Sequence, residues 1–294
     1  MPDCHPAGAI SSASCSSLLH RMTVLIPAGG NCGAESAAIT SRVQTRALIC
    51  QRAMDLARIA EWLQPFLAAE ALPASATLSS EQLQSISIYI ELLLRWNAHI
   101  NLTAVRDPEH IVSRHFGESL FLAAYLFPFG SRPAPSALAP PHALDLGSGA
   151  GFPGVPLKIY LPELRLTLVE SNRKKSVFLA ETIRALGWSG ATVFSGHLDS
   201  SLIAQVQGGA PQAIAPPNLV TMRAVERFET ALQTAGSLVR AGAAELGAGK
   251  LALLVGDRQV QSATRLVADF AWESPVPVPQ SRSRVLLIGR YPRE

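Results

Sequence analysis

From residue 54 onward the apolar positions follow two rhythms in turn, and the change of rhythm organises the chain. Leu56, Ile59, Ala60, Leu63 and Leu67 recur at helical spacing and predict a helix over residues 54–67. Ser79 with Gln82 has the pattern of a capping box, and Leu83, Ile86, Ile90, Leu93 and Leu94 carry that second helix to Trp96. Asp107 followed by Pro108, an N-cap with proline at the first helical position, predicts a third helix reaching Leu126. A proline-rich stretch at 129–141 reads as a linker. Beyond it, short β-rich runs at 143–146, 166–170, 192–195, 219–222, 251–255 and 285–288 alternate with helical patterns at 153–160, 173–186, 226–239 and 258–269. Such alternation predicts a parallel sheet with helices on both faces, with residues 207–217 and 241–249 as loop insertions.

Residues 1–53 are rich in Ser, Ala and Gly and show neither rhythm. They read as a disordered, dispensable extension, of the kind translated from upstream of a start at Met54. The expected organisation is therefore an extension at 1–53, a helical module with its linker at 54–138, and a Rossmann-like domain at 139–294. Charge changes little in this picture. The net charge is +3, and residues 1–53 hold Arg21, Arg42, Arg46 and Arg52 against Asp3 and Glu35, so the remainder is close to neutral. Bulk basicity is then no argument for nucleic-acid binding, and any RNA footprint has to be a local patch.

All four cysteines (Cys4, Cys15, Cys32 and Cys50) precede Met54. That excludes disulfides, thiolate zinc sites and a cysteine nucleophile from the rest of the chain, and it predicts a cytoplasmic protein. The apolar run Val24-Leu-Ile26 is cut by Pro27 and is too short to span a membrane. No His-Glu-x-x-His or comparable spacing occurs, so no metal is expected.

The segment with most chemical content is Asp145-Leu-Gly-Ser-Gly-Ala-Gly-Phe-Pro-Gly154. A buried strand ends in Gly147, Gly149 and Gly151, residues suited to a turn with positive φ that brings backbone close to a ligand. In a doubly wound sheet that turn lies at the ligand-binding edge. Glu170 ends the second strand, 23 residues after Gly147, where a carboxylate can accept both hydroxyls of a ribose. An adenosine-containing cofactor is the expected ligand. Gly149-Ala-Gly-Phe-Pro-Gly154 also satisfies the dinucleotide pattern G-x-G-x-x-G. An acidic residue just before the loop, Asp145, would repel a pyrophosphate and suits the ammonium end of S-adenosylmethionine. A nicotinamide-dependent oxidoreductase is the competing reading, and a non-catalytic ribosome-assembly module that binds RNA is another.

Taken with Trp96-Asn97, Asn101-Leu-Thr-Ala104, Arg114-His115, Glu118-Ser119, Leu168-Val-Glu-Ser171, Arg173-Lys-Lys175 and Met222-Arg-Ala224, this loop resembles the ribosomal RNA small subunit methyltransferase G family, also called the glucose-inhibited division protein B family. The resemblance covers residues 54–290. It implies a class I S-adenosylmethionine-dependent methyltransferase that forms 7-methylguanosine in 16S ribosomal RNA, acting on the RNA or the small subunit as a monomer without membrane contact. It also implies that Gly147 and Phe152 contact the cofactor, that Leu198 and Asp199 meet the adenine, and that Arg223 sits beside donor and base as the catalytic residue. Asn101, Arg114, His115, Arg173, Lys174 and Lys175 are the expected RNA contacts. The chain departs from the family pattern at Glu118, where Asp is common, and at His197-Leu-Asp199, where Arg-x-Glu is common. By spacing alone, His110, Arg114 and Glu118 form one stripe and read as a solvated helix face.

What is missing from the chain narrows the acceptor. The core lacks the cysteine used for pyrimidine C5 methylation, and Met222-Arg-Ala-Val225 stands where exocyclic-amine methylation commonly shows Asn/Asp-Pro-Pro-aromatic. A ring nitrogen with a free lone pair fits what remains. Guanine N7 carries no proton, so its methylation rests on positioning and electrostatics and needs no general base. The target is expected in an unpaired loop, because A-form helices hide base edges.

Overall fold

Helices come first and the sheet follows. Residues 55–128, 140–197, 202–203 and 214–291 are described by the computed structural model. The expected extension at 1–53, Leu198, Asp199, residues 207–213 and most of the linker lie outside the described residues. Helix α1 (Leu56–Leu67) opens with the Asp55 side chain accepting from the Ala57 amide, and it buries Ile59, Leu63, Phe66 and Leu67. Helix α2 (Ser80–Asn97) has the expected capping box at Ser79 and Gln82, an arrangement worth about 1 kcal/mol. The amide nitrogen of Gln82 also donates to the carbonyls of Ile159 and Tyr160, so the same side chain fastens α2 to a later helix.

The third helix starts at Asp107 and Pro108 as expected but is not uniform. Helix α3 (Pro108–Ile111) passes into a π-helical segment (Val112–Gly117) and then into α4 (Glu118–Leu126). A π segment holds one more residue per hydrogen-bonded turn, which rotates everything after it relative to the regular 3.6 period. Glu118 therefore comes out buried at 5% exposure, while His110 and Arg114 stay exposed. The three do not form a solvated stripe.

The sheet consists of β1 (His142–Leu146), β2 (Arg165–Glu170), β3 (Ala191–Ser195), β4 (Leu219–Arg223), β5 (Gly249–Gly256), β6 (Ala271–Trp272), β7 (Val276–Pro277) and β8 (Arg284–Tyr291). Its order is β3-β2-β1-β4-β5-β8-β6, with β7 also paired to β8. Strands β1 to β5 are parallel, as the alternation predicts, whereas β8 runs antiparallel against β5 and against the two short strands. The physical reason is the connection: β7 and β8 are joined by a turn of a few residues, and only an antiparallel partner can be reached so directly. This is a Rossmann-like α/β fold with a mixed edge.

The intervening helices are α5 (Gly154–Tyr160), α6 (Arg173–Ala185), α7 (Phe228–Leu246) and α8 (Asp257–Leu266). Residues 241–246 are not a loop insertion: α7 runs through them to Leu246, and β5 begins at Gly249. Within that stretch Gly242 is where α7 passes Pro217, whose carbonyl oxygen would lie 2.0 Å from a Cβ at that position. The pre-sheet helices share a core with the sheet. Fully buried Tyr89 of α2 meets Phe116, Phe152 and Phe178 edge-on, with centroids 5.2, 5.5 and 6.0 Å away. Its hydroxyl donates to the Ala150 carbonyl, so α2 holds the glycine loop from behind.

Candidate active site

Register builds the site first. Leu146 of β1 stands opposite Val169 of β2 and Met222 of β4. The next residue of each strand, Gly147, Glu170 and Arg223, therefore emerges side by side at the carboxyl edge of the sheet. This is the switch point of the strand order, where a crevice opens. Gly147 and Gly149 have φ of 67° and 59°, and a Cβ on Gly147 would stand 3.1 Å from Val225. Only glycine lets the loop turn here without strain and present bare backbone to the cavity above it. That cavity has a volume of about 870 Å³.

Glu170 is 7% exposed and does two local jobs. One oxygen accepts from the Gly149 amide at 2.9 Å and the other from the Asn172 amide at 2.7 Å. An ionised carboxylate has about four acceptor positions, so two remain for ligand hydroxyls. Asn172 in turn caps α6 by accepting from the Lys174 and Lys175 amides.

Asp145 departs from expectation. It is fully buried within β1, accepts from the Thr221 hydroxyl at 2.9 Å and from the Gly154 amide at 3.2 Å, and does not line the cavity. Asp145 lies one residue short of the carboxyl end of β1, whereas Glu170 and Arg223 are the last residues of their strands and reach the cavity. Burial pushes its pKa up to about 6, against the pull of its hydrogen bonds and Arg223. Asp145 ties β1 to β4 and to the start of α5, shaping the loop from beneath.

The opposite wall comes from the π segment. Arg223 reaches across from β4, and its guanidinium pairs with Glu118 at 2.9 Å and donates to the Arg114 carbonyl at 2.8 Å. Glu118 also binds Arg284 of β8, so one buried carboxylate serves two arginines. Burial lowers the Arg223 pKa to about 10, and the Glu118 carboxylate opposes that shift. Arg223 also lies over the Phe152 ring, 5.8 Å from its centroid, within reach of a cation–π contact. The His115 ring packs on the same Phe152 with centroids 4.8 Å apart, and its Nδ1 lies 3.2 Å from the Arg223 guanidinium. Burial, helped by the charges of Arg223, Arg114 and Arg284, pushes the His115 pKa down to about 3. The imidazole is neutral at any physiological pH.

Of the residues singled out from sequence, Gly147, Gly149, Phe152, Glu170, Arg114, His115, Lys175 and Arg223 line this one cavity. Asn101 is exposed and outside its lining, although its neighbours Leu102 and Thr103 are in it. Arg173 and Lys174 lie exposed at the start of α6, beyond the rim. Glu118, Arg284 and Thr103 also belong to this wall, though none of them is singled out from the sequence as a site residue. Arg284 follows Arg223 by 61 residues with no motif around it, whereas Thr103 sits inside Asn101-Leu-Thr-Ala104 and is signalled by that run. A second cavity of about 790 Å³ lies between the start of α2 and the end of α5 and contains none of the expected residues. Among the described residues no group of three or more His, Cys, Asp or Glu is placed to hold a metal ion. No helix among them is long and apolar enough to cross a membrane.

Comparison with known proteins adds a family. The family model described as "rRNA small subunit methyltransferase G" matches residues 82–250. Relatives carrying the name ribosomal RNA small subunit methyltransferase G include one from Roseiflexus castenholzii, 34% identical over 72% of this chain and 84% of its own length. Another, from Roseiflexus sp. strain RS-1, is 42% identical over 52% of this chain and 58% of its own. A third, from Aquifex aeolicus, is 50% identical over 35% of this chain and 50% of its own.

Proposed function

Because the chain belongs to the rRNA small subunit methyltransferase G family, we propose that it transfers the methyl group of S-adenosylmethionine to N7 of a loop guanine in 16S ribosomal RNA. The observation that carries the reading is the meeting of two unlike walls in one cavity. The bare loop at Gly147 and Gly149 with the Glu170 carboxylate suits an adenosyl ligand, and the arginine-rich wall at Arg114, His115 and Arg223 suits a nucleotide. Family membership leaves the nicotinamide-dependent oxidoreductase without support. The non-catalytic alternative fails if methyl transfer is observed.

In this reading Glu170 accepts the ribose hydroxyls, while Gly147, Gly149 and Phe152 shape the space around the donor. Leu198 and Asp199 are the expected adenine contacts. S-adenosylmethionine supplies an electrophilic sulfonium methyl. Positive charge passes from sulfonium to purine without any proton leaving, so the chain must position the base and balance charge rather than supply a base catalyst. Glu118 offsets the Arg223 charge beside that transfer, and Arg223, held at fixed distance from Phe152, orients the entering ring. Neutral His115 offers a flat polar face and no acid function. Lys175 at the rim, with Arg173 and Lys174 further along α6, contacts RNA phosphates. The enzyme works as a monomer in the cytoplasm on the RNA or the small subunit.

The test is transfer of labelled methyl groups from S-adenosylmethionine to small-subunit RNA, together with calorimetry of S-adenosylmethionine against NAD. The expected result is RNA labelling, saturable S-adenosylmethionine binding and no NAD binding. The transfer step should also be flat between about pH 6 and 9. NAD binding without methyl transfer would sink the proposal.

A further inference from the structure

We propose that the outward face of α6, extended by Arg95 of α2, is a second RNA-binding surface that takes the sugar-phosphate backbone of a paired stem beside the target loop. The inference rests on the reading above for the identity of the RNA and concerns the part of it that never enters the cavity. Arg173, Val177, Ala180 and Arg184 are all exposed and follow one another at i, i+4, i+7 and i+11, so they form one stripe along α6. Lys174 and Glu181 flank the stripe on the side of α2. There Arg95 pairs with Glu181 at 2.6 Å, and Trp96 meets Phe178 edge-on with centroids 5.8 Å apart. The Arg184 guanidinium stands 4.0 Å from the same carboxylate. The surface starts at the cavity rim, because the N-cap Asn172 and Lys175 both line the cavity.

Positive charge is concentrated on this face. Setting aside the four arginines and two acids before Met54 leaves residues 54–294 a net charge of only +1. The face alone gathers Arg95, Arg173, Lys174 and Arg184 against the single acid Glu181, so the rest of that span is net acidic. Among the described residues the side chains of Arg173 and Lys174 have no hydrogen-bond or ion-pair partner. Both stand in the first turn, where the helix dipole disfavours cations and no acid offsets them. Arg95 and Arg184 are 67% and 80% exposed, so most of each guanidinium fork faces solvent. In the middle of the stripe lies Val177, one of two large apolar side chains left exposed among the described residues.

Short side chains between cationic ends suit a backbone partner. From Arg173 to Arg184 the helix rises about 16 Å, enough to reach several successive phosphates. Val177 and Ala180 lie low between those ends and let the wall of a groove come close. The stripe has no aromatic ring on which an unpaired base could stack and no side-chain amide to read a base edge. Phosphates and 2′-hydroxyls are what it can recognise, and an A-form stem presents both at regular spacing across its shallow minor groove. A loop guanine seated in the cavity at one end of α6 leaves the stem that carries the loop to lie along this face.

The experiment titrates the full chain with small-subunit RNA over a range of salt, and with an RNA duplex and a single strand of equal length. Arg95→Ala combined with Arg184→Ala should lower the slope of log affinity against log salt by about 2. It should weaken small-subunit RNA binding on the order of 10- to 100-fold at about 0.1 M salt. Val177→Glu, which sets an acid at an exposed site, should weaken binding as well, and Val177→Lys should strengthen it. A purely structural role for the ion pairs predicts no response to the sign of charge at Val177. The double variant and Val177→Glu should lose duplex affinity and keep single-strand affinity, with S-adenosylmethionine affinity by calorimetry unchanged. In methyl transfer the KM for RNA should rise while kcat holds. Wild-type salt slope and affinity in the double variant, or wild-type affinity in Val177→Glu, overturn the surface. Equal losses for duplex and single strand overturn the stem as its partner. A wild-type protein that methylates no RNA, while these variants still lose RNA affinity, keeps the surface and overturns the proposed function instead.

Discussion

The two walls of the cavity are built on different principles. The cofactor wall is local: Gly147, Gly149 and Glu170 come from two adjacent parallel strands, and backbone bonds from Gly149 and Asn172 to Glu170 hold it together. The substrate wall is assembled from distant parts, with Arg223 from β4, Arg284 from β8 and the Glu118 carboxylate at the end of a π segment. The first is held by neutral backbone amides. The second depends on one buried carboxylate that balances two guanidinium groups. Damage should therefore spread further from the substrate wall than from the cofactor wall.

Four substitutions probe that contrast, from the largest expected effect to the smallest. Glu118→Ala leaves Arg223, at 7% side-chain exposure, without its buried counter-charge and beside Arg284. It should cost about 3–5 kcal/mol of stability in denaturant unfolding. A cost below 1 kcal/mol would mean the carboxylate is not the keystone of that wall. Asp145→Asn tests whether Asp145 belongs beneath the cofactor wall rather than in it. A folded pKa of about 6, above the ordinary 3.8, means the native state favours the protonated acid. Wild-type stability from this group is thus present below about pH 4 and lost as pH rises through 6. The stability of Asp145→Asn relative to wild type should rise by about 2 kcal/mol between pH 4 and pH 7. A difference independent of pH would place the carboxylate in solvent.

Glu170→Ala should weaken S-adenosylmethionine binding by about 1.5–3 kcal/mol without unfolding the protein. Unchanged affinity by calorimetry would remove Glu170 from the cofactor wall. Replacing Lys174 and Lys175 together by Ala should lower the slope of log affinity for RNA against log salt by about 2, with cofactor affinity unchanged. An unaltered slope would mark these lysines as plain solvated surface.

The same contrast explains what the sequence discloses. The cofactor wall is legible because each component has a local signature: an apolar strand, glycines at its end, and an acid closing the next strand. The substrate wall is only half legible. Arg114 and His115 stand in a recognisable run, but the π segment leaves an ordinary helical pattern in the sequence, so the turning inward of Glu118 has no local sign. Arg284 meets Glu118 only through the antiparallel placement of β8, and β6 and β7, with two residues each, are too short to show a period. Asp145 suggests a ligand contact by charge alone, but it is fully buried and turned to Thr221 and the Gly154 amide, partners that only the fold brings to it. Gly242, in a stretch that reads as a loop insertion, is a helical packing site, and only the neighbouring Pro217 reveals it.

The central claim is that the two walls bring the donor methyl to guanine N7, and the product has a diagnostic reactivity. N7-methylguanosine is positively charged, so borohydride reduction followed by aniline cleaves RNA at that nucleotide. Small-subunit RNA incubated with the protein and S-adenosylmethionine should show a single new break, lost in Arg223→Ala protein more completely than cofactor binding is lost. Methyl incorporation without any aniline-sensitive position would contradict the account.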